Sequence, residues 1–273
     1  MEPTSGHASH INLAKINQKI LSHKKLQLNI AIKGLNCSRP QTLVKASDIF
    51  VDAYKEGRKY LLETEAKTIC MEYGIPVTRF KLAKTWKEAV KFAEEIGYPV
   101  VLKIVSPDII HKSDVGGVII NIKTAEDVQK AYEQILENVK RHKTEAKIVG
   151  VLVQEMAPSS TEIIVGVTKD PQFGPAIMFG LGGIFVEVLK DVTFRIAPIT
   201  ENEAREMITE VKAYPLLRGY RNLPPADIDA IVKILLNTSR LVTEHQEIKE
   251  LDLNPIMVYE RGAKTVDARI ILE

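Results

Sequence analysis

The stretch "YPVVLKIVSPDIIHKSDVGGVIINI", residues 98–122, sets two apolar, β-branched runs on either side of a polar loop. Runs of this length, bounded by turn residues, are strand signals. The loop between them carries His111, Lys112 and Asp114 and ends in Gly116-Gly117. It reads either as an exposed site for chemistry or as a plain turn, and the surrounding sequence has to decide between them.

Helical and strand patterns alternate around this pair. "YKEGRKYLLETEAKTICMEYGIPV" predicts one helix ending at Gly74, with Pro76 beyond it, and "VTRFKLAK" a strand. Thr85 and Glu88 form a capping-box pattern opening a helix that closes at Gly97. Thr124 caps a second helix whose last turn is basic, as the macrodipole favours. After "KTEA" the texture changes. Strands are expected in "KIVGVLVQEM", "TEIIVGVTKD", "PAIMFG", "IFVEV" and "TFRIAPI", and Thr200 with Glu203 starts another helix. The linker "YPLLRGYRNLPP" leads to a helix at about 227–244, and a hairpin turning at Arg261-Gly262 ends the chain. The expected organisation is an extension at 1–47, one α+β subdomain at 48–145 and a second at 146–273.

Charge separates the extension from the rest. Residues 1–47 hold seven Lys or Arg against one acid, Glu2, a net +6, which leaves the remainder at −4. The body therefore lacks the basic excess of a nucleic-acid binder. The extension lacks a signal-peptide core and is Lys-rich rather than Arg-rich, so it is expected as a poorly ordered or partner-docked segment rather than a cleaved leader. No apolar run approaches the ~18 residues a bilayer span needs. Cys37 and Cys70 are too few for a disulfide framework, which points to a reducing, cytoplasmic setting.

Candidate chemistry is scattered along the body. Asp252 and Asn254, two apart on one strand, project from one face. A turn centred on Arg261-Gly262 sets Asn254 opposite Arg269 and Ile256 opposite Asp267, so Asp267 lies diagonal to Asn254 at about 7–8 Å. Such hard oxygen donors suit Mg²⁺, though a solvated face near a turn has the same pattern. Lys103, inside "VVLKIV", needs a counter-charge if buried; it meets a phosphate or escapes at a sheet edge. Gln154, Glu155 and Glu162 flank a break between strands that offers free backbone groups to a base, or forms an ordinary hairpin. Gly180, Gly182 and Gly183 permit close approach of a ligand, and Arg195 faces either that cleft or solvent. His142 and His245 end helices, whereas His111 has no helix to cap; without a Cys or His cluster no zinc site is expected.

Together "PVVLKIVSPDIIHKSDVGGV", "GVLVQEMAPSSTEIIVGVTKDPQFGPAIMFGLGGIFVEVLKDVTFRIAPI" and "ELDLNP" resemble the beta subunits of archaeal ADP-forming acetyl-CoA synthetases, members of the NDP-forming acyl-CoA synthetase superfamily. The resemblance covers about Tyr54 to Glu273. It implies an ATP-grasp fold of the α/β class, in which two α+β subdomains clasp a nucleotide, with ATP or ADP as substrate and Mg²⁺ as cofactor. It assigns Lys103 to the phosphates, Gln154, Glu155 and Met156 to the adenine, and Glu162 to the ribose or a phosphate. Gly182, Gly183 and Arg195 would line the cleft, and Gly116 and Gly117 would free the loop to swing. Asn254 and Asp267 would hold the metal, with Asp252 orienting His111, the transiently phosphorylated residue. The implied partner is a CoA-binding alpha subunit, in a heterotetramer of two alpha and two beta subunits. Two rivals stand beside this reading: a regulatory ATP-grasp nucleotide module, and an ATP-grasp carboxylate ligase that transfers phosphate directly.

Overall fold

Two antiparallel sheets, each backed by helices on one face, organise the chain from residue 45 onward; the computed structural model describes residues 45–273 except Ile110, Asn222 and Leu223. The expected extension at 1–47 lies almost wholly outside the described residues. The described chain starts with α1 (Ala46–Lys55) and α2 (Glu63–Glu72). The single helix expected across this stretch is thus broken. Gly57, at φ 70°, ends α1, and the Arg58 guanidinium grips both Glu65 oxygens at 2.8 Å. Glu65 also accepts the Leu62 N–H at 2.8 Å, fixing the start of α2.

The first sheet comprises β1 (Phe80–Ala83), β2 (Val100–Val105), β3 (Val118–Ile122) and β4 (Gly150–Glu155), in the spatial order β1-β4-β2-β3. Helices α3 (Trp86–Ile96) and α4 (Ala125–His142) cover one face. Their caps form as expected, with Thr85 accepting the Glu88 N–H at 3.2 Å and Thr124 the Asp127 N–H at 3.1 Å. The Glu88 carboxylate takes the Lys84 N–H, so the box at α3 is only half closed. Val100, Leu102 and Ile104 join the helix-backed core with Val151 and Val153. Strand alternation then sends Val101, Lys103 and Val105 to the opposite face, where they are nonetheless buried.

The second sheet contains β5 (Thr161–Asp170), β6 (Gly174–Leu181), β7 (Val192–Ile196), β8 (Ile248–Val258), β9 (Ala263–Thr265) and β10 (Ala268–Leu272), ordered β10-β8-β5-β6-β7 with β9 also on β8. "IFVEV" is not a strand. Gly183, at φ 62°, turns the chain off β6, and residues 184–187 close into the short helix α5 (Ile184–Glu187). Helices α6 (Glu201–Glu210), α7 (Tyr214–Leu217) and α8 (Ile228–Glu244) cover one face, α7 lying inside the expected linker. Ile163, Val165, Ile177 and Phe179 pack there against Met207, Leu235 and, from α2, Ile69.

The division expected between residues 145 and 146 is therefore displaced. Strand β4 pairs with β1 and β2, so the first sheet runs to Glu155. Helices α1 and α2, expected in the first subdomain, belong to the second core. Residues 59–61 also extend the edge of β10: the Leu61 N–H donates to the Ile270 carbonyl at 2.9 Å and the Leu272 N–H to that of Lys59 at 2.6 Å.

Candidate functional site

The hairpin face is the floor of the site. Asn254 lies opposite Asp267, its N–H donating to the Asp267 carbonyl at 3.2 Å, and Asp252 lies opposite Arg269. The register is two residues from the expected one, because the turn centres on Glu260-Arg261, one residue before the expected Arg261-Gly262: the Tyr259 N–H donates to the Gly262 carbonyl at 3.0 Å, and Val258 pairs with Ala263. A slip of two preserves which face each side chain occupies. Asp252, Asn254, Asp267 and Arg269 accordingly line one cavity of about 380 Å³, together with His111, Lys112 and Glu63. Burial raises the Asp252 carboxyl; Arg269 pulls it down, and the charges of Asp267 and Glu250 add to the rise.

A network missed in the sequence forms the wall. The Glu63 carboxylate, fully buried, accepts from Lys103 at 2.8 Å on one oxygen and from Lys112 at 2.8 Å on the other. Lys67, one turn along α2, lies 3.1 Å from the first oxygen, donates to Thr78 Oγ1 at 3.1 Å and bonds the side-chain oxygen of Gln154. Lys103 also reaches Asp267 at 3.4 Å. Burial opposes ionisation of Glu63, yet Lys103, Lys67 and Lys112 together hold its carboxyl well below the usual range. Burial brings the Lys67 ammonium down to about 8 against the pull of Glu63. For Lys103, burial is outweighed by Glu63 and Asp267, and its pKa is raised. The counter-charge demanded by a strand lysine is thus Glu63, with Asp267 at the cleft. In sequence a helical Glu–Lys i,i+4 pair such as Glu63 and Lys67 carries no mark of burial of its own; the signal was Ala66, Ile69 and Cys70, which share the buried side of α2.

His111 is exposed and lines the cavity. The loop behind it is more tightly tied than two glycines suggest. The Gly117 N–H donates to the Lys112 carbonyl at 2.8 Å and the Ile104 N–H to that of Gly117 at 2.7 Å. A Cβ on Gly117 would stand 2.5 Å from Ile104 Cγ2, and one on Gly116, at φ 62°, 2.7 Å from the Asn138 amide. The pair is there for close packing and a left-handed turn rather than for free swinging.

The remaining expected residues divide. Gln154, Glu155 and Met156 leave the first sheet at the border with the second. The Glu155 carboxylate bonds the Arg79 N–H and the Lys264 ammonium, each at 2.9 Å, so it ties β9 to the start of β1. The N–H of Glu155 donates to Arg79 and that of Met156 to Pro99, so a base at this point would have to use other backbone groups. Glu162 is exposed at the start of β5. Gly182 packs on it, donating to its carbonyl at 2.8 Å, and a Cβ there would stand 2.9 Å from Glu162 Cβ. Gly183 has open space around it. Arg195 is not in the cleft. It shares the face of Ile177, its partner on β6, and binds Glu206 and Glu210 of α6. Its strand neighbour Phe194 faces the open side, beside Met178 and Asp252.

Among the described residues no cluster of three or more His, Cys, Asp or Glu is built to enclose a metal. Two carboxylates and an amide oxygen on one open face instead fit Mg²⁺, which takes few protein ligands and keeps places for water and phosphate oxygens. Asn254 and Asp267 are the residues that would hold it, with Asp252 on the same face.

Comparison with known proteins gives these features a context. The family model described as an ATP-grasp domain matches residues 52–272. The chain is 56% identical, over 232 residues, to the beta subunit of acetate–CoA ligase [ADP-forming] II of Pyrococcus furiosus, covering 84% of this chain and 98% of that protein. Two solved structures of the dinucleotide-forming acetyl-coenzyme A synthetase 1 of Ca. Korarchaeum cryptofilum each cover 84% of this chain and 100% of theirs. One, 52% identical with a TM-score of 0.75, holds coenzyme A and Mg-AMPPCP, with its phosphohistidine segment pointing towards the nucleotide binding site. The other, 54% identical with a TM-score of 0.79, holds coenzyme A and acetyl-coenzyme A, with that segment phosphorylated and in a site I orientation.

Proposed function

The chain belongs to the ATP-grasp family and, within it, to the beta subunits of ADP-forming acetate–CoA ligases, and from that premise we propose that it moves a phosphoryl group between His111 and a nucleotide bound in the cleft. The overall reaction is acyl-CoA + ADP + phosphate to carboxylate + CoA + ATP, and it is reversible. In the direction of ATP formation, ADP attacks phosphohistidine; the P–N bond to His111 breaks and the β–γ bridging P–O bond of ATP forms. In reverse, a neutral ring nitrogen of His111 attacks the γ-phosphorus and ADP leaves.

The observation that carries this reading is the convergence of His111, Lys112, Asp252, Asn254 and Asp267 on one cavity, beside the buried Lys103. A phosphoryl group in flight needs positive charge and positioned donors more than covalent help. Lys103 supplies fixed charge at the cleft wall, since Glu63 and Asp267 keep it protonated. Asp252 is suited to accept the proton of one imidazole nitrogen, leaving the other to attack. Mg²⁺, held by Asp267 and Asn254, would neutralise phosphate charge when bound. Gln154 to Met156, Glu162, Gly182 and Gly183 would border the nucleotide. We assign no role in the cleft to Arg195, which is engaged with α6.

A phosphohistidine that serves one substrate here must serve another elsewhere, so the reading includes a CoA-binding alpha subunit, two of each subunit assembling as a heterotetramer, and a cytoplasmic setting. Among the described residues no helix is long and apolar enough to cross a membrane. The test is incubation with γ-labelled ATP and Mg²⁺. Label that is acid-labile and alkali-stable, lost in His111→Ala and sharply reduced in Asp252→Ala, is the expected result. Label at the wild-type level in His111→Ala would sink the reading in favour of a direct-transfer ligase.

A further inference from the structure

Glu63 spends its two oxygens on two different parts of the site. Lys103, on β2, takes Oε1 at 2.8 Å, and Lys112, the residue after His111, takes Oε2 at 2.8 Å. The carboxylate itself is immobile. It opens a helix packed in the second core, and Lys67 holds it from one turn away while bonded to Thr78 and Gln154. The turn that follows His111 is a ring closed by its own backbone, through Gly117 N–H on the Lys112 carbonyl. Its glycine end is pinned to β2 by the Ile104 N–H on the Gly117 carbonyl at 2.7 Å; at its His111 end, the Lys112 side chain is the tie to α2.

Resting on the phosphohistidine reading above, we infer that Glu63 is a positioning residue, and that its ion pair with Lys112 latches the His111 segment over the nucleotide end of the cleft. Two orientations of that segment in the Korarchaeum enzyme mean that contacts at the nucleotide end are made and broken there in each cycle. The latch has a built-in release. A phosphoryl group on His111 places up to two negative charges beside Lys112, and these compete with Glu63 for the same ammonium. Loading the histidine thus weakens the hold on the loop, and Lys112 leaves as the counter-ion of the group being carried.

Lys112→Met tests this in the full chain, because Lys112 is partly exposed and its loss leaves Glu63 paired with Lys103 and Lys67. Three quantities are read: the single-turnover rate of His111 phosphorylation from ATP and Mg²⁺, the nucleotide dissociation constant, and hydrogen exchange in the peptide 107–117. The rate is expected to fall at least tenfold with affinity within threefold, and exchange in the peptide to speed up. Lys112→Arg, which keeps the charge and the reach, is expected to restore the rate. Glu63→Gln, similar in shape, is expected to reproduce the slow rate while its thermal unfolding remains cooperative. A Lys112→Met chain that labels within twofold of wild type overturns the latch alone. One whose affinity falls in step with its rate overturns it too, by making Lys112 a nucleotide ligand. A wild-type chain that never labels at His111 overturns the phosphohistidine reading itself and this inference with it.

Discussion

Glu63→Ala is the substitution whose effect on stability follows most directly from the geometry. It removes the only carboxylate among the described residues that contacts Lys67, Lys103 and Lys112 together within 3.1 Å. Asp267 remains, but it is partly exposed and lies 3.4 Å from Lys103 and 4.0 Å from Lys112. Deleting one member of a buried ion network leaves uncompensated charge and costs about 3–5 kcal/mol. For a folded body of about 230 residues, each kcal/mol moves Tm by about 2–4 °C, so a fall of roughly 6–20 °C is expected. Lys67→Met should behave differently. Burial depresses that ammonium from 10.5 to about 8, an unfavourable charging of about 3 kcal/mol at neutral pH. Its loss also removes hydrogen bonds to Thr78 and Gln154, each worth about 1 kcal/mol. The two effects nearly cancel, and a Tm within about 4 °C of wild type is expected. Because the folded state binds the Lys67 proton less tightly than the unfolded state, wild type should gain on Lys67→Met as pH rises from about 8 toward 10.5. Calorimetry at pH 7 and in that alkaline window measures both. A Glu63→Ala chain that melts within about 2 °C of wild type, or a Lys67→Met chain that falls as far as Glu63→Ala, would refute the account.

Asp267→Asn and Asn254→Ala should each weaken Mg²⁺-dependent nucleotide binding by about tenfold or more, roughly 1.4 kcal/mol, without changing the cooperativity of unfolding; titration with and without Mg²⁺ decides, and unchanged metal dependence in both removes the hairpin from the site. Gly117→Ala drives a methyl group to 2.5 Å from Ile104 Cγ2 and 2.9 Å from the Lys112 carbonyl. A loss of about 1–3 kcal/mol is expected in denaturant unfolding, together with slower labelling of His111, since the ring that carries it must shift. Arg195→Ala should leave nucleotide affinity unchanged and cost no more than about 1 kcal/mol, the range of exposed ion pairs; a tenfold loss of affinity would return Arg195 to the cleft.

Legibility in the sequence tracked how local the determining interactions are. Caps such as Thr124 and Thr200 act within three residues and form where expected. The hairpin face was legible even with the register wrong by two, because side-chain parity survives an even slip. Arg195 was misread because parity alone does not say which face of β7 is covered; the acids of α6, eleven and fifteen residues on, decide it. Glu63 and Lys67 stayed hidden because their partners Lys103 and Gln154 lie 40 and 87 residues away. A helical i,i+4 pair looks the same whether it faces water or the centre of a site. The break in the first helix had the same cause, since residues 59–61 are claimed by β10 at the far end of the chain.

That claim has a consequence for how the protein is made. The first sheet and its helices use residues 80–155, so they can assemble while the rest of the chain is still on the ribosome. The second core cannot. It needs residues 46–75 and residues 163–272 at once, and the strand that seals its edge against Lys59 and Leu61 emerges after every other element of this core. Helices α1 and α2 must therefore wait through most of synthesis with their apolar stripes unburied, and contacts of such long sequence separation form slowly. Glu63 rides on α2, so the site gains its central carboxylate only when the C-terminal strand docks. A chain stalled or clipped before Ala268 would keep a folded first sheet with Lys103 and His111 on it, yet lack the hairpin edge that brings Glu63 to them.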